Sequence, residues 1–201
     1  DRARILVDTL VWDGALAATQ ATGNNAAVPP AEPMVDRLGD GQLDIVTRTL
    51  TLGRAPYSRP SSEVAANRQV LGFSALNLGA SEQMVFSAKG TLDVYQQRGE
   101  YLADKGWQYS GGSVAISTPL LTADPGAQLA LRTGGSFALH GGNGKAGGDA
   151  LGSELSIDAD RILLDSTIAL ASGRLSASAR QGIGVRAHAA LDLAGRKVSL
   201  F

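Results

Sequence analysis

The chain contains no cysteine among its 201 residues. That absence excludes disulfide frameworks, thiolate metal sites and cysteine nucleophiles. Histidine is nearly as scarce, since only His140 and His188 are present. No Gly-x-Ser-x-Gly elbow accompanies them, so a serine triad has neither its usual motif nor a well-placed base. We therefore expect no metal, no cofactor and no nucleophilic catalysis.

Charge of one sign and long apolar runs are also missing. The 18 basic and 19 acidic residues leave a net charge of −1, which gives no electrostatic footprint for nucleic acid. No stretch approaches the roughly 20 apolar residues of a membrane helix, so membrane insertion is not expected. No secretory signal opens the chain, and both ends look cut, which indicates part of a longer protein.

A short repeat of apolar residues occupies the last third of the chain. Each unit alternates apolar with small or polar residues, as a half-buried strand requires. The steps between units are 7, 6, 7, 8, 8 and 7 residues. The leading apolar residues are Leu155, Ile162, Ile168, Leu175, Ile183, Leu191 and Val198. Strands this short cannot bury an apolar face alone, so neighbouring units must stack.

Three consecutive units, which we call a coil, span 20 to 23 residues, as from Leu155 to Leu175 or from Leu175 to Val198. This period predicts an all-β fold, a parallel β-helix or β-solenoid with three strands in each coil of about 20 residues. Similar units recur from residue 4 onward. The segment 114–124 also aligns with 155–165 by apolar character at an offset of 41, which suggests a separation of two coils.

Four segments interrupt this apolar repeat. They lie near 18–39, 54–69, 96–112 and 141–153, and are rich in proline, glycine or other turn-forming residues. The second includes a candidate helical turn at Glu63 to Asn67. Insertions leave a β-helix at its corners while the stack continues beneath them, so we predict one domain over 1–201, with four loops.

An antiparallel sandwich is the main alternative, because it also uses short, evenly spaced strands. Sandwiches favour tight hairpin turns such as Asn-Gly. The only such pair, Asn143-Gly144, lies inside a glycine-rich segment. Corners of about two or three residues between units favour the β-helix. No window shows the apolar spacing of an amphipathic helix.

Two motifs suggest chemistry. Gly142 to Gly147 matches G-x-G-x-x-G, but a strand rather than a helix is expected after it, so we interpret it as a corner loop. Asp158, Asp160 and Arg161 could form a carboxylate site of the kind used by carbohydrate-active β-helices. A solvated outer face accounts for them equally simply and is the favoured interpretation.

The segment 96–112 carries Tyr101, Trp107 and Tyr109 and is the best candidate contact loop. Aromatic rings in a projecting loop can stack on sugars or on a protein partner. Alternatively, the three rings fold back over the side of the stack as a lid.

The units resemble a known family. The motifs LSIDADRILLD, GRLSASARQGIGVRA and LDLAGRKVSLF, with GFSALNLGASEQMVFSAKGTLDVY at 72–95, are similar to coils of the filamentous haemagglutinin family of bacterial exoproteins. The resemblance covers roughly 70–201 and, more weakly, 4–52. It implies a right-handed β-helix that is secreted or displayed at the bacterial cell surface. An outer-membrane transporter barrel would export the parent protein by two-partner secretion.

The resemblance also implies a function. Shafts of this family serve in adhesion, aggregation or presentation of a toxin, and they supply no catalytic residues. We therefore expect a structural and adhesive segment that is not an enzyme, with a host-cell protein or glycan as its candidate partner. The alternatives are a carbohydrate-active β-helix and a binding module that acts through the 96–112 loop.

Overall fold

The computed structural model describes residues 1–16, 39–53, 65–142, 144–145 and 150–195. These residues form an all-β structure without any helix, which confirms the predicted class. The strands are β1 (Arg2–Leu6), β2 (Thr9–Trp12), β3 (Ala15–Leu16), β4 (Gly41–Leu52), β5 (Ala66–Leu71), β6 (Phe73–Phe86), β7 (Lys89–Tyr95), β8 (Gln97–Leu102), β9 (Gly106–Ser110), β10 (Ser113–Ser117), β11 (Leu120–Ala123), β12 (Gln128–Thr133), β13 (Ser136–Gly142), β14 (Glu154–Ala169), β15 (Arg174–Val185) and β16 (Ala190–Asp192). The described residues contain no helix that is long and apolar enough to cross a membrane.

Parallel pairing between distant strands builds the main sheet. One series of register partners runs through Ile5, Ile45, Leu78, Ile116, Leu139, Leu164 and Val185. A second runs through Leu10, Leu50, Met84, Leu121, Ile168 and Leu191. A third runs through Arg68, Leu92, Leu131, Ile157 and Ala177. Each series is a column of side chains that meet across neighbouring strands.

The sheet closes on itself. Strands β6, β10, β13, β14 and β11 pair in that order, and β11 pairs again with β6, which makes a ring of five parallel strands with further strands attached. Closure is possible because β6 and β14 are long: β6 takes part in the first and second columns, and β14 takes part in all three. Between Thr47 and Thr49 of β4 the register shifts, at the point where the strand passes from the first column to the second.

Alternating burial places the core inside this arrangement. Along β14 the residues Leu155, Ile157 and Ala159 are buried, and the residues between them are exposed. The same alternation in β6, β7, β10 and β12 joins one continuous apolar cluster. A period of two therefore directs every second side chain into a shared interior, as expected for half-buried strands.

Near the carboxyl end of the described chain, the units predicted from the sequence pair as parallel strands. Leu155 pairs with Leu175, Ile162 with Ile183, and Ile168 with Leu191. These are the units that stand three apart in the sequence. The prediction for Val198 lies outside the described residues. Parallel pairing also overturns the antiparallel sandwich, because within the described ranges only β3–β5, β8–β9 and one isolated bridge are antiparallel.

The predicted separation of two coils between the segments 114–124 and 155–165 is wrong. Val114 pairs with Phe137, and Phe137 pairs with Ile162, so two steps along this column lead to Ile162 and not to Leu155. Leu155 belongs to another column, opposite Leu129. All three columns show the same apolar alternation, so a match of apolar character cannot tell them apart.

Two predicted loops contain strands. In 54–69, the described part begins at residue 65, and Ala66–Leu71 is strand β5 rather than the loop or helical turn expected there. The 96–112 segment contains β8 and β9, which pair as an antiparallel hairpin. Residues 18–38 lie outside the described part of the chain, and so do residues 143 and 146–149 of the fourth predicted loop.

One arginine occupies the interior. Arg68 is the register partner of Leu92 and is only 3% exposed. It donates hydrogen bonds to the carbonyl oxygens of Trp12 (2.7 Å), Ala66 (3.2 Å) and Gly53 (3.4 Å). Burial lowers the pKa of its guanidinium, and the charge of Asp13 works against that shift. Its donors thus fasten strands from distant parts of the chain around one buried cation.

Candidate functional site

The aromatic residues of the candidate contact loop lie on the β8–β9 hairpin. Its tip turns at Gly106, where φ is +73°, and the amide of Lys105 donates to the carbonyl of Leu102 at 3.1 Å. Positive φ favours glycine, and an ideal β-carbon at Gly106 would meet nothing within 4 Å. The hairpin leaves the sheet after Tyr95 and returns to it at Ser113.

Between the hairpin and the sheet lies a cleft of about 290 Å³, which we call the hairpin cleft. Its aromatic side is formed by Tyr95, Trp107 and Tyr109. Its charged side is formed by Lys105, Arg132, Asp158 and Arg180. The predicted residues Trp107 and Tyr109 therefore reach one site, together with four charged residues that sequence reasoning did not assign to it.

The rings are fixed in two ways. Tyr109 stacks on Tyr95 of strand β7, with ring centroids 4.8 Å apart, so the base of the hairpin is fastened to the sheet. Trp107 packs edge-on against Tyr101 at 5.3 Å, and the guanidinium carbon of Arg98 lies 4.0 Å from the centroid of the indole. One ring, Tyr109, therefore lies against the sheet, whereas Tyr101 and Trp107 pack against each other within the hairpin.

Charges alternate along the sheet beside these rings. Asp93, Arg132 and Asp158 are successive register partners on strands β7, β12 and β14. Arg132 Nη1 lies 3.6 Å from Asp93 Oδ1, and Arg180 Nη1 lies 3.8 Å from Asp158 Oδ1. Stacked strands thus place Arg132 between two acids, and Arg180 reaches Asp158 from the neighbouring strand β15.

Arg180 also binds Asp160 through its Nε, and this hydrogen bond raises the pKa of the arginine. Arg161, the proposed partner of the two acids, instead donates to Gln181 at 3.0 Å. The trio Asp158, Asp160 and Arg161 therefore does not converge as a carboxylate site would require. Sequence reasoning missed Arg180 because it lies twenty residues from Asp160 and reaches it only through strand pairing.

Two buried polar atoms near the cleft lack hydrogen bonds. They are Asp93 Oδ1 and Trp107 Nε1, and no other buried side-chain nitrogen or oxygen of the described residues is without a partner. The other Asp93 oxygen accepts a hydrogen bond from Thr91 Oγ1 at 3.1 Å. Burial raises the pKa of the Asp93 carboxyl, although Arg132 and Thr91 both oppose that shift. Burial also raises the pKa of the Tyr95 hydroxyl.

Both histidines lie next to Asp165, which does not line the cleft. His140 is the register partner of Asp165, and His188 contacts the same carboxylate through its Nδ1 at 3.2 Å. No group of three metal-binding side chains with suitable geometry occurs in the described ranges. The neighbouring Ser166 is buried and donates to the carbonyl of Thr118 at 2.6 Å, so its hydroxyl is already engaged.

The G-x-G-x-x-G motif gives no phosphate site in the residues that are described. Gly142 ends strand β13, and the next element in the structure is strand β14, which begins at Glu154. A dinucleotide fingerprint needs a helix amino terminus after its glycines. Part of the motif, at residues 143, 146 and 147, lies outside the described ranges.

Within the described part of the chain, the geometry offers the hairpin cleft as a candidate site. Its rings are held in place, Arg180 pairs with Asp158, and the indole N–H of Trp107 has no acceptor. In comparisons with known proteins, no protein-family model, no curated protein and no solved structure matches the chain.

Proposed function

We propose that this chain is a shaft segment of a large secreted bacterial exoprotein of the filamentous haemagglutinin type. Its parallel strands would wind as a right-handed β-helix with three strands in each coil. The observation that carries the proposal is the register at the carboxyl end, where Leu155, Ile162 and Ile168 pair with Leu175, Ile183 and Leu191. Every strand unit there contacts the unit three places later, as successive coils of a helix would.

The physics of such a stack suits a shaft. Each added coil lengthens it by about 4.8 Å, the spacing between hydrogen-bonded strands, and makes contacts only with its neighbours. Salt bridges on the outer surface also join strands along the direction of stacking. Arg48 donates to Asp8 at 2.9 Å and to Glu82 at 2.7 Å, and so joins three successive strand levels.

The hairpin cleft supplies the adhesive part of the proposal. The hairpin projects from the stack, and the side chains of Ala103, Asp104 and Lys105 at its tip are exposed. In the parent protein it would face a host-cell protein or glycan. The same proposal places the parent at the bacterial surface or outside the cell, exported through an outer-membrane transporter barrel.

Tandem duplication tests the shaft. We would insert five extra copies of residues 155–174 after Arg174, so that each copy supplies three strand units. In small-angle X-ray scattering the longest dimension should grow by about 24 Å, five strand spacings, while the cross-sectional radius of gyration stays constant. Growth in every dimension would contradict the proposal and favour a closed barrel. Inserting the same copies with Leu155, Ile162 and Ile168 changed to Asp is the control that should not extend the stack.

A further inference from the structure

We propose that the hairpin cleft binds a carboxylate group that is presented by an acidic segment of a partner protein. This inference rests on the contact role given to the cleft in the proposed function, and it specifies the chemistry of the partner. Three features of the cleft support it: an excess of positive charge in the lining, hydrogen-bond donors that remain free, and a small volume.

Cations outnumber acids in the lining of the cleft. Lys105, Arg132 and Arg180 line it, and Asp158 is the one carboxylate among the described lining residues. Three cations against one carboxylate leave an excess of two positive charges at the cavity wall. A cavity whose wall carries an excess of one sign attracts ligands of the opposite sign, so we expect an anionic ligand.

Two of these cations have donors that the rest of the protein does not use. Lys105 is exposed at the tip of the hairpin, and its ammonium group makes no hydrogen bond or ion pair with the described residues. The Arg132 side chain is 50% exposed, and its Nη1 lies 3.6 Å from Asp93 Oδ1, which is too long for a hydrogen bond. Because arginine carries five N–H donors in a planar fork, Arg132 can bind both oxygens of one carboxylate.

Arg180 adds donors from a different strand. Its Nε binds Asp160, and its Nη1 lies 3.8 Å from Asp158 Oδ1, so the terminal nitrogens make only this long contact. Lys105 comes from the hairpin turn, Arg132 from β12 and Arg180 from β15, and the three cations thus converge from three elements. The ion pairs hold the guanidinium of Arg180 in place before a ligand arrives, which lowers the entropic cost of binding.

Nearby acids limit the charge that the cleft accepts. Asp158 lies within the lining, and Asp93 and Asp160 lie outside it, each beside one of the two arginines. A sulfated or phosphorylated polymer would bring several negative charges close to these acids, whereas a carboxylate brings one. The volume of about 290 Å³ also fits a single side chain better than a length of polymer. These two limits favour isolated carboxylates, as an acidic peptide presents them.

Peptide binding tests the proposal. The probe is the capped peptide acetyl-Gly-Ser-Glu-Gly-Glu-Ser-Gly-amide, and its control carries Gln in place of both Glu residues. We would titrate the isotope-labelled chain and follow the backbone amides of residues 106–109 by nuclear magnetic resonance. The Glu peptide should shift these signals saturably and bind at least about tenfold more tightly than the Gln peptide. Its affinity should fall between about 50 and 500 mM NaCl, because salt screens ion pairs in an open cleft.

Substitutions localise the binding. Lys105→Gln and Arg132→Gln should each weaken it by about tenfold, because each removes a charged donor. Arg174→Gln removes the same charge from an exposed position of β15 that does not line the cleft, and it should leave the affinity unchanged. Asp158→Asn removes the carboxylate of the lining and should tighten binding by about threefold, a gain that unfolding cannot produce. Thermal melting of each variant shows whether a loss of affinity reflects unfolding.

Equal affinity for the Glu and Gln peptides would overturn the inference, and so would full affinity in folded Lys105→Gln and Arg132→Gln. Competition with a sulfated hexasaccharide and with inorganic phosphate separates the other anions. If either displaced the peptide at a lower concentration than free glutamate does, the carboxylate assignment would be wrong. None of these outcomes alters the scattering dimensions that test the shaft, so the two proposals can fail separately.

Discussion

Leu164 and Val185 are register partners in one column, yet Leu164 is 2% exposed and Val185 is 60% exposed. Leu164 has strands on both sides, β13 and β15, whereas no described strand covers β15 on its far side. Leu164→Ala should therefore cost about 2–5 kcal/mol of unfolding free energy, through lost burial and a cavity. Val185→Ala should cost about 0.5 kcal/mol or less.

Urea denaturation of both variants measures this contrast. Equal losses would mean that Val185 is covered in solution, and the column would then continue beyond β15.

The two glycines Gly79 and Gly90 give a matched pair. A β-carbon at Gly90 would lie 2.1 Å from the carbonyl oxygen of Ala66, which is backbone and cannot easily move. At Gly79 the nearest atom would be 3.6 Å away, an ordinary contact. Gly90→Ala should destabilise by about 1–3 kcal/mol, as overpacking does. Gly79→Ala should stabilise by about 0.5–1 kcal/mol, because alanine loses less entropy in a strand.

Thermal unfolding of both variants decides the matter. A melting temperature for Gly90→Ala at or above that of the native chain would show that β5 and β7 are not packed as described.

Arg68 should be hard to replace because its guanidinium donates to backbone carbonyls in the interior. Arg68→Met fills a similar volume but removes the donors to the carbonyls of Trp12, Gly53 and Ala66. Leaving buried acceptors without donors costs about 1–3 kcal/mol, and we expect a net loss in that range. Arg174→Met, at an exposed position of β15, is the control and should change stability by about 0.5 kcal/mol at most. A more stable Arg68→Met would mean that desolvation of the cation outweighs its hydrogen bonds.

Asp93 should make stability depend on pH in an unusual direction. Its pKa is raised in the folded protein, chiefly by burial, so the folded state favours the protonated acid. The resulting stabilisation is full below the pKa of the unfolded chain and is lost as pH rises through the folded-state pKa. Asp93→Asn should therefore raise the urea midpoint relative to the native chain at pH 7, and the two midpoints should converge near pH 3.

Asp44 serves as the comparison, because its contribution to stability depends on pH in the opposite direction. Hydrogen bonds from Arg2 and Asn77 lower its pKa, so its contribution is present above the unfolded pKa and is lost on acidification. Asp44→Asn should lower the urea midpoint more at pH 7 than at pH 3. If Asp93→Asn showed the same pH dependence, the burial of Asp93 would be contradicted.

Local alternation was enough to predict the strands and the period of three at the carboxyl end. Leu155, Ile162 and Ile168 lead units in which apolar residues recur at every second position, and a period of two is a property of a single strand. The spacing between units is set locally, by the length of the corners. That spacing indicated that units three apart in the sequence pair with each other. Absence of cysteine and the balance of charge likewise needed no structure.

Contacts between distant residues were decided only by the tertiary structure. The column to which Val114 belongs, the burial of Arg68 and the pairing of Arg180 with Asp160 all depend on which strands become neighbours. The sequence around Arg68 looks like a polar loop, and only the carbonyls of Trp12 and Gly53 make its burial tolerable. Alternation specifies that a side chain points inward, but it carries no information on the partner that the side chain finds there, because every column of the sheet uses the same pattern.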